Sequence, residues 1–221
     1  YFGEAAFSNS YEVSQITRLR DGDGEFVLDG DGEYVYQNTI RRLPISLSAI
    51  RFRDGITEIA DNVLINCVGV HNIYIAPSVR VIGQRAFAVE TGDSGGLMRT
   101  GELHIPQNSN LEEIGLRAFY FRSSLTKLEL PSTIKRIEEE AFRNSVSLSQ
   151  ITLANHNNLD FIGRRAFHAT DWLGLQSNGA LSIGNIVIGY KGASLYEEIN
   201  LTLPEGTKVI APYAFNEITS I

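Results

Sequence analysis

A six-residue motif recurs through most of this chain and restricts what the chain can fold into. Its copies are IGQRAF (Ile82–Phe87), IGLRAF (Ile114–Phe119), IEEEAF (Ile137–Phe142), IGRRAF (Ile162–Phe167) and IAPYAF (Ile210–Phe215), with FGEAAF (Phe2–Phe7) and the degenerate IADNVL (Ile59–Leu64). Phe119 and Phe142, which end two successive copies, lie 23 residues apart. A chain with regular copies at such a period folds as a stack of similar repeats.

A second motif fills the other half of each repeat. The runs LTKLEL (Leu125–Leu130), VHNIYI (Val70–Ile75) and LSQITL (Leu148–Leu153) follow the pattern L-x-x-L-x-L. Their alternation of apolar and polar residues predicts a short strand with one buried face. In the first motif, Ile, Ala and Phe recur at i, i+4 and i+5, which predicts a helical turn with one apolar side. Stacked repeats would then form a ladder of strands about 4.8 Å apart and a continuous column of phenylalanines.

Together the two motifs resemble the BspA-type leucine-rich repeat, which is common in surface proteins of gut and oral bacteria and occurs in some parasitic protists. The I-G-x-x-A-F copies after L-x-x-I-x-L-P carry the resemblance, which covers nearly the whole chain. It implies an α/β repeat solenoid: a right-handed leucine-rich-repeat solenoid with short parallel strands, helical turns opposite them, and residues 1–221 in a single domain. It also implies adhesion or protein binding outside the cell rather than catalysis.

Two longer gaps between copies predict insertions into the solenoid, near residues 21–40 and 171–192. In the later gap, two runs of strand-forming residues flank Gly184 and Asn185, a pair typical of a hairpin turn. In the earlier gap, two strand-forming runs, Phe26–Leu28 and Tyr34–Tyr36, flank the Asp- and Gly-rich residues 29–33. We interpret both insertions as β-hairpins spliced into the repeat array. Each is followed by a regular strand, at Ile50 and Phe52 after the earlier one and at Leu201 and Leu203 after the later one.

The repeated Asp-Gly-Asp-Gly of the earlier insertion raises the question of a metal site, because clustered carboxylates supply the oxygen ligands that Ca²⁺ prefers. The candidate ligands are Asp21, Asp23, Asp29 and Asp31. An EF-hand loop also needs Gly at position 6 and Glu at position 12, and neither register of the segment meets this requirement. Asp-Gly pairs are common in turns, so we interpret the segment as turns, with calcium as the weaker alternative. We expect no cofactor.

Composition and motifs exclude several classes of protein. The formal net charge of −7 argues against nucleic acid as a partner. No apolar run approaches the roughly 20 residues that a membrane-spanning helix needs. The sequence has no Walker or dinucleotide-binding motif, so we expect no enzyme. Cys67 is the single cysteine, cannot form an internal disulfide, and is expected to be a small buried structural residue.

The surface best suited to binding is the outward row of the strand ladder, because the middle residue of L-x-L points away from the core. This row comprises Arg51, Tyr74, His104, Glu129, Thr152 and Thr202, flanked by Arg53, Lys127 and Gln150. It combines an aromatic side chain, charges of both signs and hydroxyl groups. Such a face suits a protein or glycan ligand, although any exposed strand face must be polar.

We therefore expect a non-catalytic protein-binding or adhesion module of a bacterial surface or secreted protein, with an extracellular or cell-surface location. Its partner would be a host or microbial extracellular protein, or a glycan. A structural spacer or stalk within a larger surface protein is the alternative. The chain starts without Met and ends inside a repeat, so we expect a piece of a longer protein whose ends could self-associate.

Overall fold

The computed structural model describes residues 10–18, 36–44, 48–90, 101–154, 158–192 and 200–216. The chain divides into two compact units, residues 1–47 and 48–221. In the first unit, β1 (Ser10–Arg18) pairs antiparallel with β2 (Tyr36–Pro44). The predicted strand Phe26–Leu28 lies outside the described residues. The assignment of the whole chain to a single solenoid domain stays a prediction.

The second unit is built from short strands and, within the described residues, one short helix. In chain order the elements are β3 (Ala49–Arg51), β4 (Glu58–Ile59), β5 (Asn72–Tyr74), β6 (Val81–Ile82), β7 (Leu103–His104), β8 (Glu113–Ile114), β9 (Lys127–Leu130), β10 (Arg136–Ile137), β11 (Gln150–Leu153), β12 (Phe161–Ile162), α1 (Asp171–Leu175), β13 (Gly179–Ile183), β14 (Ile186–Lys191) and β15 (Val209–Ile210). Each regular repeat contributes two strands, one to each of two ladders.

The two ladders run along the repeat array. The first contains β3–β5–β7 and then β9–β11, and the second contains β4, β6, β8, β10 and β12 in that order. All of these neighbours are parallel. In the second ladder each repeat places one buried isoleucine at the same register position: Ile59, Ile82, Ile114, Ile137 and Ile162. The predicted ladder of short parallel strands is therefore confirmed, and the second unit is a solenoid of parallel β-strands.

The core of the solenoid is the predicted column of phenylalanines. The stacked rings are Phe87, Phe119, Phe142 and Phe167. Their centroids lie 5.1, 5.1 and 5.3 Å apart, and neighbouring planes differ by 17°, 1° and 3°. Phe52 contacts the column edge-on at one end, and Trp172 of α1 covers the other end. Aromatic pairs add about 0.5–1.5 kcal/mol beyond the burial of their area, so the column ties consecutive repeats together.

The predicted helical turns opposite the strands are replaced by β-turns. The residue before the Ala of the motif, or before its counterpart, has a φ between 52° and 62° in six repeats: Asn62, Arg85, Arg117, Glu140, Arg165 and Tyr213. A right-handed helix requires negative φ throughout. The Ala86 N–H instead donates to Gly83 O, which closes a four-residue turn with positive φ at its third residue. We call residues 83–88 and their equivalents the arcs.

Hydrogen bonds between repeats explain why arcs form here. The N–H of Phe87 donates to Ala118 O, and the N–H of Phe119 donates to Ala141 O, both at 2.8 Å. A helix would use these N–H groups internally. Neighbouring helices also pack about 8–10 Å apart, whereas the rings of the column are 5.1–5.3 Å apart. Helical turns therefore do not fit the spacing that the strands and rings impose.

The later predicted insertion is present as a β-hairpin. β13 and β14 pair antiparallel, and the chain turns at Gly184 and Asn185 as predicted. Lys191 at the end of β14 reaches α1, where its ammonium donates to backbone carbonyls including that of Gln176 at 2.7 Å. A cation at the carboxyl end of a helix satisfies carbonyls that have no partner within the helix. The hairpin is thus attached to the helix that covers the phenylalanine column.

The second strand of the hairpin takes the place of one repeat. β15 pairs in parallel with β14, and the Ala211 N–H donates to Val187 O at 2.8 Å. The regular repeats make the same bond between each arc and the isoleucine of the preceding repeat, also at 2.8 Å. The regular strand predicted at Leu201 and Leu203 is not formed. At this point of the chain, the strand pairing of the second ladder therefore continues in β14 and β15, whereas the first ladder has no corresponding strand.

Phe142→Ala removes a fully buried ring from the middle of the column. It should lower the free energy of unfolding by about 3–5 kcal/mol. Phe121→Ala is the matched control, because that ring is 41% exposed and its loss should cost about 0.5 kcal/mol. Urea denaturation followed by circular dichroism measures both variants. Equal costs for the two variants would show that the column is not internal.

Gly163→Ala should destabilise the fold by about 1–3 kcal/mol. The added Cβ would lie 2.3 Å from the backbone nitrogen of Glu139 in the neighbouring repeat, and neither backbone can move away. Gly174→Ala is the control: it lies in α1 with no atom within 4 Å of an added Cβ, where Ala is the better helix former. The same urea titration measures both, and a neutral Gly163→Ala would contradict the close approach of the arcs.

Candidate functional site

The outward face of the first ladder brings most of the predicted binding residues together. The strand register places Tyr74 between Arg51 and His104, and Glu129 beside Thr152. These five side chains are exposed or half-buried, while the alternate residues of the same strands face the core. The predicted row is therefore present as a surface, in the order that the repeats dictate.

Three residues of the row form one continuous stack. The rings of Tyr74 and His104 are parallel within 1° with centroids 4.2 Å apart. The guanidinium carbon of Arg51 lies 3.5 Å from the centroid of the Tyr74 ring. Because Arg51 and His104 lie on strands to either side of Tyr74, they cover its two faces. The Nε2 of His104 also lies 2.9 Å from Glu102 Oε2, which fixes the ring at this end of the stack.

The first ladder is interrupted between β7 and β9. A single parallel bridge between Gly101 and Leu125 joins the two parts within residues 101–154. Beyond that bridge, the N–H groups of Leu103 and Ile105 donate to no backbone carbonyl of the neighbouring described repeat. A one-residue slip in register accounts for this. Gly101 pairs with Leu125, which lies 24 positions later in the chain. The next core-facing residues, Leu103 and Leu128, are 25 positions apart.

The interruption leaves a hollow of about 280 Å³ on the outward face. Its lining consists of Glu102, Leu103, His104, Thr126, Lys127, Glu129, Ser149 and Gln150. Within this lining, Glu129 forms an ion pair with Lys127. Four residues of the predicted row and its flanks thus surround one concavity. The sequence placed them on one face but contained no signal for the concavity, because the slip that creates it is a property of strand pairing.

The other predicted residues lie apart from the hollow. Arg53 is exposed just after β3, and Thr202 is exposed and lies in no strand. The four candidate calcium ligands fall outside the described residues: Asp21, Asp23, Asp29 and Asp31. In the part of the chain that the structure describes, no group of three or more His, Cys, Asp or Glu side chains could hold a metal ion. No helix in that same part is long and apolar enough to span a bilayer.

A smaller hollow of about 80 Å³ lies beside the hairpin. Phe167, Gly189 and Tyr213 contribute to its lining. It opens where β14 supplies a strand but no arc follows it, so the stacking of arcs is interrupted there. Because sites for small molecules usually have about 300–1,000 Å³, we place the candidate site at the larger hollow of the first ladder.

Arg122 is a buried charge that the sequence analysis missed. Its side chain donates to the backbone carbonyls of Cys67 at 3.1 Å and of Val70, and the residue is 4% exposed. Burial lowers the pKa of Arg122 to about 10, so the side chain still carries its charge at neutral pH. The signal was available: Arg122 follows the phenylalanine of its repeat by three positions, as Ser145 does, and Ser145 and Cys67 are buried. The expected burial of Cys67 is thus confirmed.

A buried carboxylate links two repeats on the arc side. The Glu140 side chain is 6% exposed and accepts hydrogen bonds from Arg117 of the preceding repeat and from Arg143. Burial raises the pKa of Glu140, but the two guanidinium hydrogen bonds outweigh this effect, and the pKa lies below its usual value of 4.5. The hydrogen bond to Glu140 in turn raises the pKa of Arg117. These charges hold repeats together.

One protein family matches the repeat array. The model of the BspA type leucine-rich repeat region matches residues 32–92 and 99–186, in six copies that cover more than half of the chain. The crystal structure of the pneumococcal vaccine antigen PcpA is similar with a TM-score of 0.45 and 18% sequence identity. The similarity covers 90% of this chain and 47% of PcpA, so this chain spans about half the length of that one. No curated protein matches the sequence.

Glu140→Gln should flatten the acid side of the stability profile. Because the folded-state pKa lies below 4.5, the carboxylate contributes stability above that pH and loses it as the pH falls through the lowered pKa. The variant should be less stable than the wild type at neutral pH, with a smaller loss on acidification. Urea denaturation from about pH 7 to about pH 3 measures this. Glu139→Gln, an exposed neighbour with the same change of charge, is the control, and equal profiles for all three proteins would contradict the assignment.

Proposed function

Because the chain belongs to the BspA type leucine-rich repeat family, we propose that it is a non-catalytic protein-binding module of a bacterial surface or secreted protein. The module acts at the cell surface or outside the cell, and its partner is a host or microbial extracellular protein to which it adheres. The binding surface is the outward face of the first ladder. Solenoids use extended faces of this kind for binding.

The stack of Arg51, Tyr74 and His104 is the observation that carries this proposal. Tyr and Arg are enriched among the residues that dominate binding energy at protein interfaces. Here contacts of 3.5 and 4.2 Å already order the three side chains. Little side-chain entropy then remains to be lost when a partner binds. A strand face whose side chains serve only to contact solvent would not require these side chains to be held in one arrangement.

The arc side is a less suitable binding surface than the outward face of the first ladder. Its charged residues are engaged with one another: Arg117 and Arg143 with Glu140, and Arg85 with Glu90 at 3.0 Å. Both sides carry such pairs, but breaking them costs more on the arc side, where the paired side chains are only 6–35% exposed. Those of the pairs Lys127–Glu129 and His104–Glu102 on the outward face are 40–65% exposed. The outward face of the first ladder is therefore the better candidate for recognition.

A structural spacer is the second candidate function, and the phenylalanine column favours it. Rings stacked at 5.1–5.3 Å and hydrogen bonds between successive arcs join each repeat to the next. Such an array holds its ends at a fixed separation, as a stalk must. The two functions make different demands on the outward face, because a spacer tolerates changes there and a binding module does not.

Tyr74→Ser should weaken binding to an extracellular partner by at least about tenfold, as expected for an ordered aromatic at the centre of an interface. Tyr213→Ser, which removes an exposed tyrosine from the arc side, is the matched control and should leave binding unchanged. Surface plasmon resonance against immobilised extracellular-matrix and mucosal proteins provides the measurement.

Two results would count against the proposal. Equal binding by the two variants would remove the outward face as the binding surface. An absence of binding by the wild-type chain at micromolar concentration to every protein of the panel would favour the spacer.

A further inference from the structure

The hollow between β7 and β9 has one flat and firmly oriented wall. Tyr74 covers one face of the His104 ring at 4.2 Å, and His104 is part of the lining of the hollow. Because β7 lies between β5 and the hollow, we infer that the opposite face of the ring borders it. The hydrogen-bonding distance of 2.9 Å between His104 Nε2 and Glu102 fixes the plane of the ring. A ligand in the hollow would therefore meet an aromatic face whose position is set before it arrives.

The carboxylates of the hollow already have partners. Glu102 lies 2.9 Å from Nε2 of His104, whose ring carries a charge only when protonated, and Glu129 forms an ion pair with Lys127. An ionic ligand would have to compete with these partners and would gain only the difference between the two interactions. The paired groups still keep hydrogen-bonding capacity, because a carboxylate has about four acceptor sites and an ammonium has three donors. The hollow is thus suited to a ligand that makes hydrogen bonds and carries no charge.

The lining offers both donors and acceptors. The amide of Gln150 and the hydroxyl of Ser149 can each donate and accept, and Gln150 lies beside Lys127 in the strand register. A ligand hydroxyl also donates and accepts, so it finds a partner at each of these positions. A guanidinium or ammonium offers only donors and would leave the Lys127 donors opposed by a like charge. The C–H groups of a saturated ring pack favourably on an aromatic face such as that of His104.

We propose that this hollow binds one neutral sugar residue of a glycan. The sugar ring lies against the open face of His104, and its hydroxyls bond Glu102, Glu129 and Gln150. The volume of about 280 Å³ lies just below the usual range of sites for drug-sized ligands, about 300–1,000 Å³, which suits a single ring. The inference rests on the proposed function in that it uses the same face, and it makes the partner a glycosylated protein.

Five methyl glycosides are the probes: those of glucose, galactose, mannose, fucose and N-acetylglucosamine. Each is titrated into the wild-type chain while NMR follows the ring C–H signals of its four histidines, and His104→Gln assigns the relevant signal. At least one glycoside should shift the His104 signal saturably, with a Kd on the order of millimolar for so small a ligand.

Gln150→Ala should weaken that binding by about two- to tenfold, the effect of one lost hydrogen bond. Gln107→Ala removes another exposed glutamine outside the lining and should leave binding unchanged. Both side chains are exposed, so both variants should fold, and circular dichroism confirms this before the titrations.

The absence of a saturable His104 shift with all five glycosides overturns the inference. An equal or larger shift with Nα-acetyl-arginine amide overturns it too, and assigns the hollow to a cationic side chain of a protein. Protein binding that is lost in Tyr74→Ser, without any glycoside response, refutes the sugar site and leaves the proposed function standing. Saturable glycoside binding without any protein partner supports the sugar site and refutes adhesion to protein.

Discussion

Contact between successive repeats at a spacing of about 5 Å is the constraint on which the rest of this structure depends. The phenylalanine rings stack at 5.1–5.3 Å, and the backbone N–H of one arc reaches the carbonyl of the next at 2.8 Å. The two ladders keep the same spacing through strands of two to four residues. No single repeat could bury its own apolar side, so stability comes from the interfaces between repeats.

The functional candidates lie where this regularity is broken. The slip between β7 and β9 opens the hollow beside His104, and the hairpin replaces one repeat beyond Phe167. Arg122 lies just after Phe119, which follows Phe87 by 32 residues instead of the 23 that separate Phe119 from Phe142. Its side chain donates to carbonyls two repeats earlier. A regular array presents a nearly uniform surface, so a concavity or a buried charge appears where one repeat differs from its neighbours. The regular repeats form the scaffold, and the hollow and the buried Arg122 occur where a repeat departs from the regular pattern.

The sequence predicted the parallel ladder, the column of buried phenylalanines and the hairpin turn at Gly184 and Asn185. The structure confirms the ladder, the turn and the burial of Phe87, Phe119, Phe142 and Phe167, whereas Phe215 of the last copy is 36% exposed. The helical turns failed for an identifiable reason. Apolar residues at i, i+4 and i+5 fit a helical turn and also fit two consecutive β-turns, so periodicity could not separate them. The positive φ at positions such as Arg85 is unusual for a residue other than glycine. The residue types at these positions therefore did not predict a turn.

The candidate site shows the same division between what sequence and structure each contribute. The sequence alone determined the repeat, its period, the apolar column and the identity of the outward row from Arg51 to Thr152, because alternation and periodicity depend only on the order of residue types. Only the tertiary structure decided that Tyr74 and His104 stack, that arcs replace helical turns, and that a slipped register opens a hollow. Each of these depends on where one repeat sits relative to the next, and that position is set by hydrogen bonds and ring contacts between residues about 22 to 33 positions apart.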